Sequence, residues 1–123
     1  MFLGTHLVLY SSNAEADRAF LRDVLGFPHV DAGEGWLIFA LPPAETGIHP
    51  GAGLQDGQGT AAATVYLMCR DLAGAIAALA AKGVRCGPIH EAGWGLVSSI
   101  PLPGGGSLGF YQPHHATAIT PQG

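Results

Sequence analysis

Asn13-Ala14-Glu15-Ala16-Asp17-Arg18-Ala19-Phe20-Leu21-Arg22-Asp23-Val24-Leu25-Gly26 opens and closes like one helix, and the same signals return from Asp71 to Gly83, 58 residues on at the cap and 57 at the glycine. Asn13 and Asp71 are N-caps, because a short side-chain oxygen can accept from the free amides of the first turn. Glu15 and Asp17 suit the positive end of the first helix, and Gly26 and Gly83 suit the left-handed position that ends one. Ala16, Phe20 and Val24 share one face of a helix over Ala14–Leu25. Leu72, Ile76 and Leu79 share one face of a helix over Leu72–Lys82.

The repeat extends outward from both helices. Residues 3–12 and 61–70 are apolar, β-leaning runs that precede the caps. After the helices, Gly35-Trp36 corresponds to Gly93-Trp94, Leu41-Pro42 to Leu102-Pro103, and Gly47-Ile48-His49 to Gly109-Phe110-Tyr111. Strands are expected near 28–32, 35–41 and 45–49 in the first half, and near 85–91, 95–101 and 107–112 in the second. Gly104-Gly105-Gly106 opens no helix and reads as a hairpin turn, not a phosphate cradle. The chain thus reads as one α+β domain over residues 1–123. Module one covers about 3–50, a glycine-rich linker 51–60, module two about 61–113, and a patternless tail 114–123. Each module is β-α-β-β-β, its helix covering one side of its sheet. Two such units side by side curl into a half-barrel around a cavity, helices outside.

The bulk numbers agree with a folded, apolar domain. Of 123 residues 48% are hydrophobic and 11% charged, and the net charge is -4. Only 5 residues are Lys or Arg, without a basic run, which argues against nucleic acid as a partner. Cys69 and Cys86 form no metal-type pair and read as reduced thiols of a cytoplasmic protein. The N-terminus shows no signal-peptide pattern, and no apolar run reaches the roughly 18 residues of a membrane span.

Three phrases carry a family resemblance: Thr5-His6-Leu7 in the first run, Phe20-Leu21-Arg22-Asp23-Val24-Leu25-Gly26-Phe27 at the helix end, and Leu108-Gly109-Phe110-Tyr111-Gln112-Pro113 near the close. With the repeated β-α-β-β-β order, the chain resembles the vicinal-oxygen-chelate superfamily of glyoxalases, bleomycin-resistance proteins and ring-cleaving dioxygenases. The resemblance implies a small-molecule cavity and a homodimer. In metal-dependent members it also implies one divalent ion (Fe, Mn, Ni or Zn) that chelates two neighbouring substrate oxygens. His6 matches the first metal ligand. The other ligand positions fall on Thr64, Gly47 and Gly109, and none of these residues is a good ligand.

Strand alternation offers other groups to the same cavity. If Gly47 faces inward, so do Glu45 and His49; if Gly109 does, so do Ser107 and Tyr111; if Thr64 does, so does Tyr66. His6 and His49 as ligands, with Glu45 as carboxylate and proton carrier, form one candidate set. Glu45 and His49 lie about 13 Å apart along an extended strand, too far for one ion without a bulge. Glu91 is a second candidate base, although it and His90 also read as surface residues beside a turn, and His114 and His115 read as solvated. Trp36, Trp94, Tyr66 and Tyr111 read either as plain core and rim aromatics or as ligand contacts, with Thr64 beside them as a ligand contact. Three functions therefore compete. One is metal-free binding of a small organic molecule by those rings, with Glu45 pairing to a cation. The second is a metal-dependent lyase, isomerase or dioxygenase. The third is a structural module with a vestigial cavity.

Overall fold

The computed structural model describes residues 1, 3–48, 50 and 62–119. Its elements run α1 (Ala14–Asp23), β1 (His29–Asp31), β2 (Leu37–Phe39), β3 (Tyr66–Met68), α2 (Leu72–Ala80), β4 (His90–Glu91), β5 (Gly95–Pro101) and β6 (Ser107–Pro113). Both expected caps form. Asn13 Oδ1 accepts from Ala16 N at 3.2 Å and Asp71 Oδ1 from Gly74 N at 3.1 Å. Gly26 and Gly83 follow the helices at φ 69° and 82°, a conformation that costs a side-chain-bearing residue dearly.

Module two builds a mixed four-stranded sheet in the order β3-β6-β5-β4. β5 and β6 pair antiparallel along their whole length, from Gly95↔Pro113 to Pro101↔Ser107. β3 runs parallel to β6 with Tyr66↔Gly109 and Met68↔Tyr111. The hairpin between β5 and β6 closes through Leu102 N donating to Gly106 O (2.9 Å) and Gly105 N donating to Leu102 O (3.0 Å). Gly105 sits there at φ 96°, which is why a glycine run occupies the turn.

In module one only the β1–β2 hairpin is hydrogen-bonded as a sheet among the described residues. The expected strands over 3–12 and 45–48 join no ladder there, and His49 lies outside the described residues. The turns explain the asymmetry. Where module two has Pro103 and three glycines, module one has Pro42-Pro43-Ala44. Two successive prolines donate nothing, and no glycine is present to take a positive φ.

The core lies on one face of the module-two sheet. Leu72, Val84, Ile100, Leu108 and Phe110 are buried together, and Phe20 and Leu21 of α1, with Val24 and Leu25 just past its end, pack on them beside Ile76 and Leu79 of α2. Three polar contacts fix α1 to module two. Asp17 Oδ1 accepts from Gly104 N at 2.7 Å, Ser12 Oγ donates to Gly104 O at 2.6 Å, and Lys82 Nζ donates to Val24 O at 2.9 Å. Lys82 and Val24 are separated by the 58-residue repeat itself, so equivalent points of the two helices meet. With both helices on one face, the other face of the curled, unclosed sheet is left to form a concave wall.

Candidate ligand-binding site

The pairing register determines which side chains stand on the concave wall. In a sheet, laterally paired residues project to the same side and alternate along each strand. Val97, Tyr111 and Met68 therefore form one row, and Ser99, Gly109 and Tyr66 the next. Leu96, Ile100, Leu108 and Phe110 take the opposite face and meet the helices.

At the Tyr111 end of this wall is a cavity of about 290 Å³. Residues 41–47 of module one close it on one side, and Leu7, Tyr66, Met68, Trp94 and Tyr111 line the rest. The three rings meet edge to face. Tyr66–Trp94 and Tyr66–Tyr111 centroids are both 5.7 Å apart, and Trp94–Tyr111 centroids 4.9 Å, at interplanar angles of 78°, 84° and 79°. This arrangement sets positive ring edges against negative faces. It holds the rings without collapsing them into a stack, so Tyr66 and Trp94 stay partly exposed to a ligand.

The polar groups of the cavity are few. Glu45 is half-buried in the lining, and its Oε1 accepts from Ala118 N at 2.9 Å. Tyr111 Oη and His115 Nε2 are 3.0 Å apart, while His115 Nδ1 is 2.8 Å from Ala116 O. A carbonyl oxygen only accepts, so Nδ1 carries the hydrogen, and in the neutral ring Nε2 accepts from the Tyr111 hydroxyl. Burial pushes the Tyr111 hydroxyl above the usual tyrosine range, and the Glu45 carboxylate and Tyr66 push it in the same direction. The hydroxyl therefore keeps its proton and remains a donor. His115 also stacks on the Tyr111 ring, with centroids 5.8 Å apart. These contacts fold residues 114–119 back beside the cavity.

Of the residues singled out from sequence, the structure brings together Glu45, Tyr66, Trp94 and Tyr111. Thr64 lines a neighbouring cavity on the same face, together with Tyr66. Trp36 stands apart on the β1–β2 hairpin, with the Arg18 guanidinium 4.4 Å above its ring. His6 lines neither cavity; Leu7 and Leu9 do. His49 lies outside the described residues. Glu91 accepts from Gly93 N at 2.9 Å in the β4–β5 turn and is 3.9 Å from the His114 ring. His115 was expected to be solvated, but its ring meets the Tyr111 hydroxyl, and Ala118 bonds to Glu45. No period or cap in residues 114–119 signals that return.

The donor set does not suit the divalent ion of the metal-dependent members. Among the described residues, no three His, Cys, Asp or Glu side chains converge where one ion could be held. The last-strand position is closed as well as bare. A Cβ on Gly109 would meet the ring of Tyr66, with Cε1 2.6 Å and Cγ 3.3 Å away. The described residues do not fit the ion.

No protein-family model matches the sequence, and no curated protein does. Solved structures do match the fold. An antibiotic-binding protein from Streptomyces sp. CB03234 aligns with TM-score 0.60 at 20% identity, over 92% of this chain and 99% of that one. A lactoylglutathione lyase from Agrobacterium tumefaciens aligns with TM-score 0.58 at 19% identity, over 87% and 90%. An integron cassette protein from the Halifax Harbour sewage-outfall metagenome aligns with TM-score 0.56 at 16% identity, over 90% and 99%. Two helices outside a curled, unclosed mixed sheet and these neighbours together identify the architecture as the vicinal-oxygen-chelate fold of the glyoxalase and bleomycin-resistance proteins.

Proposed function

We infer that this protein binds a small planar aromatic cation in the cavity among Tyr66, Trp94 and Tyr111, without turning it over. The observation that carries this reading is the convergence of three ring systems and one carboxylate, Glu45, on a single cavity. Ring edges and faces supply dispersion and cation–π attraction, and Glu45 supplies the opposite charge in a partly desolvated place. The antibiotic-binding neighbour supports sequestration as a use of this fold, although a shared fold does not assign a function. Homodimer assembly belongs to this reading. Leu3, Val8, Tyr10 and Ile48 are 105%, 62%, 93% and 91% exposed, an apolar surface suited to a second subunit. A cytoplasmic location belongs to it too, since Cys69 and Cys86 are free thiols and no helix among the described residues is long and apolar enough to cross a membrane.

Isothermal titration with 6-methoxy-1-methylquinolinium, a permanent planar cation, tests the reading. Saturable binding is expected, weakened about tenfold or more by Trp94→Leu. An absence of binding, or equal binding by the variant, would overturn it. Uptake of one divalent ion per chain with lyase or dioxygenase turnover would favour the enzyme reading instead.

A further inference from the structure

The concave wall continues past Tyr66 into a second cavity, of about 620 Å³, whose chemistry differs from that of the first. Thr64, Ser99 and Ser107 bring hydroxyls to it, His90 brings a ring, and Leu9 and Val97 bring apolar surface. None of the three hydroxyls bonds to another described residue, whereas Ser98, on the same strand, spends its hydroxyl on Gly87 O at 2.7 Å. Among the described residues, no carboxylate, ammonium or guanidinium group lines this cavity. Among those residues a phosphate or carboxylate would find no lysine or arginine to hold it, and a cation no carboxylate. Each hydroxyl both donates and accepts, which is the complement of another hydroxyl.

The two cavities adjoin at Val65 and Tyr66, which line both. Ser99, Gly109 and Tyr66 lie in one lateral row. Along β6, Ser107 at the hydroxyl end and Tyr111 at the aromatic end are four residues apart, about 13 Å at strand rise. A fused two-ring cation carrying one hexose spans a comparable length.

We propose that the second cavity is a subsite for an uncharged, hydroxyl-bearing unit, a glycosyl or polyol group, on the same ligand whose aromatic cation sits among Tyr66, Trp94 and Tyr111. This inference rests on the aromatic-cation reading above. Thr64, Ser99 and Ser107 then discriminate between glycosylated and bare forms of one aromatic compound, and Tyr66 is the shared wall at the junction.

The test compares 6-methoxy-1-methylquinolinium with its 6-(β-D-glucosyloxy) counterpart by calorimetry on the full chain. The glucoside is expected to bind about tenfold more tightly, the scale of a few net hydrogen bonds. In Ser99→Ala/Ser107→Ala that advantage should fall to about twofold or less with the methoxy compound's affinity unchanged, an internal check that the variant is folded. Ser99→Thr/Ser107→Thr, which keeps both hydroxyls, should retain the advantage. A glucoside that binds no better than the methoxy compound overturns the subsite and leaves the aromatic reading standing. An advantage that survives the double alanine variant also overturns the subsite. If neither compound binds, the subsite and the reading beneath it fall together.

Discussion

The ring of Tyr66 lies across the backbone of Gly109, its laterally paired neighbour on β6, with Cε1 2.6 Å from where a Cβ would stand. The bare glycine and the aromatic ring are one feature, since the ring occupies the volume that a side chain at 109 would need. Gly109→Ala should therefore force the ring to move and cost about 1–3 kcal/mol in urea unfolding, the usual scale of overpacking. Tyr66→Ala removes the obstacle. In Tyr66→Ala/Gly109→Ala the two costs should sum to less than their separate values, by about 0.5 kcal/mol or more. Strict additivity would show that the ring does not constrain position 109.

That pair also marks how far the sequence could be read. Both helices were legible because caps and terminal glycines act within one turn of the chain. Asn13 and Asp71 bond to amides three residues on, whatever the rest of the protein does. β5 and β6 were legible from alternation and from the glycine turn between them. The outer strands of module one were not, because a strand needs a distant partner, and Pro42-Pro43 gives no tight return to bring one near. Without a ladder, nothing local fixes whether His6 or Leu7 faces inward. At the site, Tyr66 and Tyr111 followed from alternation along strands that do form, and Trp94 from the repeated Gly-Trp, whereas Glu45 reaches the cavity from a segment that joins no ladder. His115 was not legible, because its place depends on a tail held by a bond between residues 73 apart, Glu45 to Ala118.

Glu45 serves both the tail and the cavity, and the two roles separate by substitution. Glu45→Gln keeps an amide oxygen that can accept from Ala118 N but removes the charge. Its affinity for 6-methoxy-1-methylquinolinium should fall about five- to tenfold, with an Ala118 amide exchange rate close to that of the parent. Glu45→Ala should lose both, with faster exchange at Ala118 and neighbouring amides in hydrogen-exchange mass spectrometry. An unchanged affinity in Glu45→Gln would remove the carboxylate from the binding role.

Alkaline pH should destabilise the fold through three groups. Burial raises Tyr111 above its ordinary value of 10.0, and burial raises the thiols of Cys69 and Cys86 above 9.0. For each, the unfolded chain releases its proton first, so between the unfolded and folded values the native state holds more protons. Stability then falls as pH rises. The contribution is complete below about pH 9 and is lost as pH climbs through the raised folded values. Urea midpoints measured upward from about pH 8 should decline in two stages. Tyr111→Phe should flatten the stage above about pH 10, and an unaltered slope in that variant would show that Tyr111 is not the group responsible.

The matching caps make a prediction about how the two modules depend on each other. Asn13→Ala and Asp71→Ala each remove a side-chain acceptor from a free helix amide, and each should cost about 1 kcal/mol. The two caps share no partner, so the double variant should cost the sum within about 0.5 kcal/mol if the chain unfolds as one unit. One cooperative unit is expected, because α1 and the residues just past its end pack on the module-two core through Phe20, Leu21, Val24 and Leu25 and are tied to it by Lys82 and Gly104. Lys82→Ala should cost about 0.3–1 kcal/mol by removing the cation from the α1 C-terminus. If instead Asn13→Ala produces a separate early transition by circular dichroism while Asp71→Ala leaves that transition in place, module one melts independently. The contacts of α1 with module two would then be too weak to make one fold of the two halves.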